Sequence, residues 1–192
     1  SMGSASFRGC SSLTSLSLLT TAPISYQQFY GCSSLTSVVI PSGVNSIGEQ
    51  AFMNCTNLTQ ISIPNSVHSI SAYAFYNCSH LQTLVLPDSL QIVSNTLCYG
   101  CSGLQKLTIP NSVTSIQDQA FYGCTGLTNA IVPNSVLSVG TNAFYGVTTV
   151  VYNGSAAGCP WGASHCQSYY EEDSILYVDS LKTEIIGANS II

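Results

Sequence analysis

Nine cysteines give this chain most of its reactive side chains. A thiolate can attack a carbonyl, ligate a metal or close a disulfide, and spacing separates these uses. Cys10, Cys32, Cys55, Cys78, Cys101 and Cys124 stand 22 and then repeatedly 23 residues apart. Zinc sites draw on close pairs such as C-x2-C, which this beat does not provide. Cys98-Tyr99-Gly100-Cys101 has the C-x-x-C spacing of redox dithiols, yet both cysteines fall on positions that elsewhere carry core residues. Cys159, His165 and Cys166 gather off the beat. Three readings stay open for them. They form a candidate Cys159–Cys166 disulfide, a metal site short of a fourth ligand, or a Cys–His nucleophile without a nameable orienting residue. His68 and His80 occupy variable positions and read as exposed polar residues. No G-x-S-x-G, P-loop, H-E-x-x-H or EF-hand pattern is present. The sequence therefore assigns no catalytic residue, no metal and no cofactor.

The beat runs through other positions. Leu13, Leu35, Leu58, Leu81, Leu104 and Leu127 follow the cysteines by three residues. Leu18, Ile40, Ile63, Leu86, Ile109 and Val132 follow by eight, and Pro41, Pro64, Pro87, Pro110 and Pro133 come next. Phenylalanine precedes the cysteine by three, except where Cys98 takes that place. The next slot on the beat holds Val147. Valine fills a core slot but cannot ligate, attack or pair, so the six cysteines read as a column of small buried apolar residues with free thiols. Side-by-side thiols in such a column have parallel Cβ vectors, which oppose bridging.

A period of about 23 residues belongs to leucine-rich repeats. Each coil cannot bury its own apolar side, and stacking does so. The expected architecture is a leucine-rich-repeat solenoid with a parallel sheet on its concave face. Leu58-Thr59-Gln60-Ile61-Ser62-Ile63 reads as a short strand with Ile61 and Ile63 inward and Ser62 outward. Pro64 ends it, having no N–H for a ladder. Val67 and Ile70 begin a return face of short strands, and Ser71–Tyr76 is expected as one helical or 3-10 turn. A stripe of Tyr30, Tyr76, Tyr99, Tyr122 and Tyr145 is expected to stack along the array.

Four segments follow. Residues 1–6 read as a vector remnant and unordered start, 7–152 as the solenoid, and 153–170 as a cap over the open core. Residues 171–192 read as an acidic linker, Glu171-Glu172-Asp173, and the opening of a further β module cut short. Charged residues are 6% of the chain, with 3 Lys and Arg and a net charge of −5. No basic patch can form, which disfavours nucleic acid and anionic membrane surfaces. No apolar run is long enough to span a bilayer as a helix. Asn54, Asn57, Asn77 and Asn153 begin N-x-S/T sequons, relevant only in a eukaryotic secretory pathway.

The surface left for recognition is the outward side of the concave strands. Its candidate ligand residues are Thr59, Gln60, Ser62, Gln82, Thr83, Val85, Gln105, Lys106 and Thr108. Pro, Ala-Phe and Cys recur together in Pro41…Ala51-Phe52…Cys55, Pro64…Ala74-Phe75…Cys78 and Pro110…Ala120-Phe121…Cys124. This pattern, over about residues 7–152, resembles the BspA-like leucine-rich repeats of host-associated bacteria and mucosal protists. Leu97-Cys98 departs from it in the fourth coil. Tyr152-Asn153-Gly154…Pro160-Trp161-Gly162-Ala163 is similar to segments that follow such arrays. The resemblance implies a surface or secreted protein without catalytic residues, adhesive or host-binding in some members. The expectation is a non-catalytic extracellular module binding a host or matrix protein or glycan. The alternatives are a structural spacer within a larger surface protein, or an enzyme built on Cys159, His165 and Cys166.

Overall fold

The structure, a computed structural model, describes residues 3–167 and the backbone of three later strands. Each coil contributes one three-residue strand to the concave side. These are β1 (Ser15–Ser17), β2 (Ser37–Val39), β4 (Gln60–Ser62), β6 (Thr83–Val85) and β8 (Lys106–Thr108), in one parallel sheet in that order. Gln60 in β4 and Thr83 in β6 are exposed while Ile61 and Leu84 between the outward residues are buried, the alternation that a one-sided core demands. Ile63 lies just past β4 and is half-buried.

A second parallel run joins β10 (Asn129–Ile131), β12 (Thr149–Val151) and β13 (His165–Gln167). The concave sheet is thus two ladders, with a break between β8 and β10. The break falls where Ala130 replaces the leucine, valine or isoleucine of other coils, and Leu107 beside it is only partly buried.

The return face carries two-residue strands: β3 (Ser46–Ile47) with β5 (Ser69–Ile70), and β7 (Ile92–Val93), β9 (Ser115–Ile116) and β11 (Ser138–Val139). Ser71–Tyr76 is not a helical turn. It is a run of tight turns, and no helix occurs among the described residues. The reason lies in the backbone. Gln27, Gln50, Tyr73, Thr96, Gln119 and Asn142, all five residues before the column slot, have φ of 52–60°. A left-handed residue in every coil interrupts helical propagation. The N–H groups turn outward instead, to the next coil: Gln50 donates to the Ala72 carbonyl (3.1 Å), Phe52 to Ala74 (2.9 Å) and Asn54 to Tyr76 (2.8 Å). The intervening N–H groups close turns within their own coil, as Cys55 does onto Phe52 (3.1 Å). This second ladder ties the return arc of each coil to the next.

The segment off the beat packs against the last coil through Trp161. Trp161 takes the next place in the phenylalanine stack, with its ring centroid 6.2 Å from Phe144, and Phe144 N–H donates to its carbonyl (3.0 Å). The indole N–H donates to Ala157 O (2.7 Å). Cys159 is disulfide-bonded to Cys166, tying this loop to β13. Beyond lie β14 (Tyr169–Glu172), β15 (Ile175–Val178) and β16 (Thr183–Glu184), an antiparallel sheet in that order. Glu171 and Glu172 sit within β14, which crosses the boundary expected at residue 170. The remainder of the 171–192 segment lies outside the described residues.

Candidate functional site

The thiol column lies wholly inside the fold, apart from its exposed first member Cys10. Cys32, Cys55, Cys78, Cys101 and Cys124 are buried. Each Sγ–H points back one coil. Cys55 donates to Phe29 O (3.2 Å), Cys78 to Phe52 O (3.2 Å), Cys101 to Phe75 O (3.1 Å) and Cys124 to Cys98 O (3.3 Å). Those carbonyls also accept the turn-closing N–H of their own coil, so both acceptor positions are used. Burial, and secondarily the Cys32 thiol, push Cys55 up to about 12. Burial likewise holds Cys78, Cys98 and Cys124 well above the ordinary thiol range. Such thiols stay neutral at physiological pH and are poor nucleophiles. Cys98 fills a phenylalanine slot, interrupting the stack of Phe7, Phe29, Phe52 and Phe75 before Phe121 and Phe144.

One residue ahead of each column slot stands Gly31, Asn54, Asn77, Gly100, Gly123 or Gly146, with φ of 57–90°. Glycine and asparagine recur there because they tolerate the left-handed conformation best. Asn77 Nδ2 donates to Asn54 Oδ1 (3.0 Å), and Asn54 Nδ2 to the Tyr30 hydroxyl (3.3 Å), so two of the sequon asparagines belong to an inter-coil ladder. Beside it Tyr76, Tyr99, Tyr122 and Tyr145 stack with centroids 5.0, 4.6 and 4.6 Å apart. Tyr30 departs from that stack and lies under the Arg8 guanidinium at 4.9 Å. Partial burial and then the neighbouring phenols raise the Tyr122 pKa.

Off the beat, the disulfide occupies both Cys159 and Cys166, leaving neither as a nucleophile. No group of three or more His, Cys, Asp or Glu side chains is disposed to hold a metal among the described residues. The return face carries a shallow open groove lined by Asn95, Ser115, Gln117, Asp118 and Ser138. Its carboxylate is engaged in the fold, accepting the Thr141 N–H at 2.7 Å.

The concave face is the broad continuous surface that remains. Gln60, Ser62, Gln82, Thr83, Val85, Gln105 and Lys106 are exposed on it, and Thr59 and Thr108 are half-buried. Register aligns Gln60 with Thr83, Thr83 with Lys106 and Val85 with Thr108, one rung every ~4.8 Å. Thr59 is partly committed, since its hydroxyl donates to Thr36 O (3.0 Å). Val39, which is 65% exposed, and Val85, 43% exposed, stand in one outward column with the exposed Ser62 between them. Lys106 supplies the single charge among the candidate residues. Such a surface can form many hydrogen bonds and a modest apolar contact, with little long-range electrostatic pull.

This chain belongs to the BspA type leucine rich repeat region family, six copies of which match over residues 1–96 and 22–151. It is similar to a leucine rich cell surface protein of Faecalibacterium prausnitzii, with 34% identity and a TM-score of 0.64 over 88% of this chain and 43% of that one. The leucine rich repeat protein of T. pallidum is 31% identical with a TM-score of 0.63, over 76% of this chain and 66% of that one. A Bacteroides ovatus leucine-rich repeat protein shares the fold at 21% identity and a TM-score of 0.59, over 90% of this chain and 56% of that one. The chain thus spans less than two thirds of the length of these relatives. No curated protein matches it. Leucine-rich-repeat solenoids are in general non-catalytic scaffolds for interaction, and no helix among the described residues is long and apolar enough to cross a membrane.

Proposed function

We propose that this chain is a non-catalytic extracellular module, carried at a bacterial surface, that binds a host or matrix protein or glycan through its concave sheet. The observation that carries this reading is the composition of that face: exposed amides and hydroxyls in register, with Val39 and Val85 set among them and Lys106 as the single charge among its candidate residues. A ligand held by hydrogen bonds and apolar contact suits it better than a polyanion. The surface location draws on the F. prausnitzii relative, which is described as a cell surface protein. A second reading is a spacer within a larger surface protein. The inter-coil ladders of backbone, asparagine and tyrosine favour it, because they stiffen the rod whatever its face contacts. The test is binding of the folded chain to immobilised fibronectin, fibrinogen and a mucin glycan panel, beside a Gln82→Ala, Gln105→Ala, Lys106→Ala variant. Saturable binding that the variant loses supports the ligand face. Absence of binding, or binding the variant keeps, moves the reading to the spacer.

A further inference from the structure

The groove on the return face is built by β7, β9 and β11 and takes no part in the concave surface. Register places Ile92, Ser115 and Ser138 in one column, and Val93, Ile116 and Val139 in the next. Val93 and Ile116 are buried, but Val139 is only half-buried. The following residue differs from its counterparts. Position 140 is glycine where the three preceding coils carry Ser71, Ser94 and Gln117. A Cβ there would lie 2.4 Å from both the backbone N and Oδ1 of Asp118. Glycine thus admits the Asp118 carboxylate at that rung. The resulting groove, of about 480 Å³, is lined by Asp118 and Val139 together.

The fold fixes the polar groups of the groove through some of their atoms and leaves others free. Asp118 Oδ1 accepts the Thr141 N–H (2.7 Å), while Oδ2 has no partner among the described residues. Gln117 Oε1 accepts the Asn95 N–H (2.9 Å), which leaves Nε2 as a donor. Ser138 Oγ donates to Ser115 Oγ (2.9 Å), so the Ser115 proton remains to donate. We propose that this groove binds one residue of a neutral saccharide, at a site separate from the concave sheet. A sugar hydroxyl donates and accepts at once. A carboxylate oxygen beside a carboxamide N–H meets both needs, and the bond to the carboxylate is the stronger. Val139 supplies an apolar patch for the C–H face of a pyranose ring, and the volume lies in the range of small-ligand sites. Asp118 is the only charged residue in the lining, which disfavours an anionic ligand.

The test uses the whole chain and free saccharides, so its outcome is separate from capture of the chain by immobilised macromolecules. The probes are methyl α-mannopyranoside, methyl β-galactopyranoside and N-acetylglucosamine. Saturation-transfer NMR should show saturable, millimolar binding of at least one of them. Asp118→Asn retains an oxygen for the Thr141 N–H but replaces the free acceptor with a donor, and should weaken binding at least about tenfold. Ser138→Phe, at an exposed position, should fill the groove and abolish binding. The Gln82→Ala, Gln105→Ala, Lys106→Ala variant should bind as the unaltered chain does. If Asp118→Asn lowers the unfolding midpoint, Ser138→Phe alone decides. The proposal is overturned if no probe binds saturably, or if the deciding variant keeps its affinity. Loss of binding in the concave-face variant also overturns it, by placing the saccharide on the other side.

Discussion

Replacing Cys78 by alanine removes one sulfur from the middle of the thiol column. That atom is fully buried, and deleting a single buried heavy atom from a core costs about 0.5–1.5 kcal/mol. The lost Sγ–H bond to Phe52 O adds only a fraction, because this carbonyl keeps the Cys55 N–H. At pH 7 the variant should be less stable by about 1–2 kcal/mol. Alkali reverses the order. The folded-state pKa of Cys78 is raised, chiefly by burial, from an ordinary value of 9.0. Its contribution is fully present below that value and is lost as pH rises above it, because only the unfolded chain then releases the proton. The loss is about 1.4 kcal/mol per pH unit for this one thiol. The variant escapes it, so the two stability curves should meet near pH 10, roughly one unit above the ordinary thiol value. Urea unfolding from pH 7 to 10.5, followed by circular dichroism in oxygen-free buffer, measures both quantities. Curves that stay parallel at every pH would refute the neutral buried thiol. A loss above about 4 kcal/mol at pH 7 would refute a packing role limited to one atom.

Three further outcomes are expected. Asn77→Ala should destabilise more than Asn77→Gly by about 1 kcal/mol, since both lose the side-chain bond to Asn54 and only alanine is strained at φ 57°; chemical denaturation checks both. Selective loss of the Cys159–Cys166 link, in a Cys159→Ala, Cys166→Ala variant, should cost about 2–3 kcal/mol for so short a loop and loosen Trp161, read by its fluorescence. Absorbance titration at alkaline pH should show a phenol titrating above the usual tyrosine value, and Tyr122→Phe should remove it.

The period made the solenoid legible, because leucine and cysteine recur at buried positions and proline where each strand ends. The left-handed site five residues before each column slot was not legible, because its occupants, Gln27, Gln50, Tyr73, Thr96, Gln119 and Asn142, include amides in four coils of six but never the glycine that marks such a site. Their conformation is imposed by the ladder to the next coil, which no local propensity reports. The same blindness explains why Ser71–Tyr76 reads as a helical turn. Trp161 was not legible as the next ring of the phenylalanine stack, since it lies off the beat. On the candidate face, the alternation exposed Gln82, Gln105 and Lys106, whereas the burial of Val151 leaves no trace in the period.

The most direct measurement inserts a single bulky charge on each face and reads ligand binding. Thr83→Arg and Val85→Arg lie on the concave side, and Thr114→Arg is exposed on the return side. For whichever immobilised protein or glycan the chain binds, both concave variants should lose at least about tenfold in affinity, or roughly 1.4 kcal/mol, with the return-face variant unchanged. Binding lost in Thr114→Arg and retained in the concave pair would place recognition on the opposite face and contradict the proposed function.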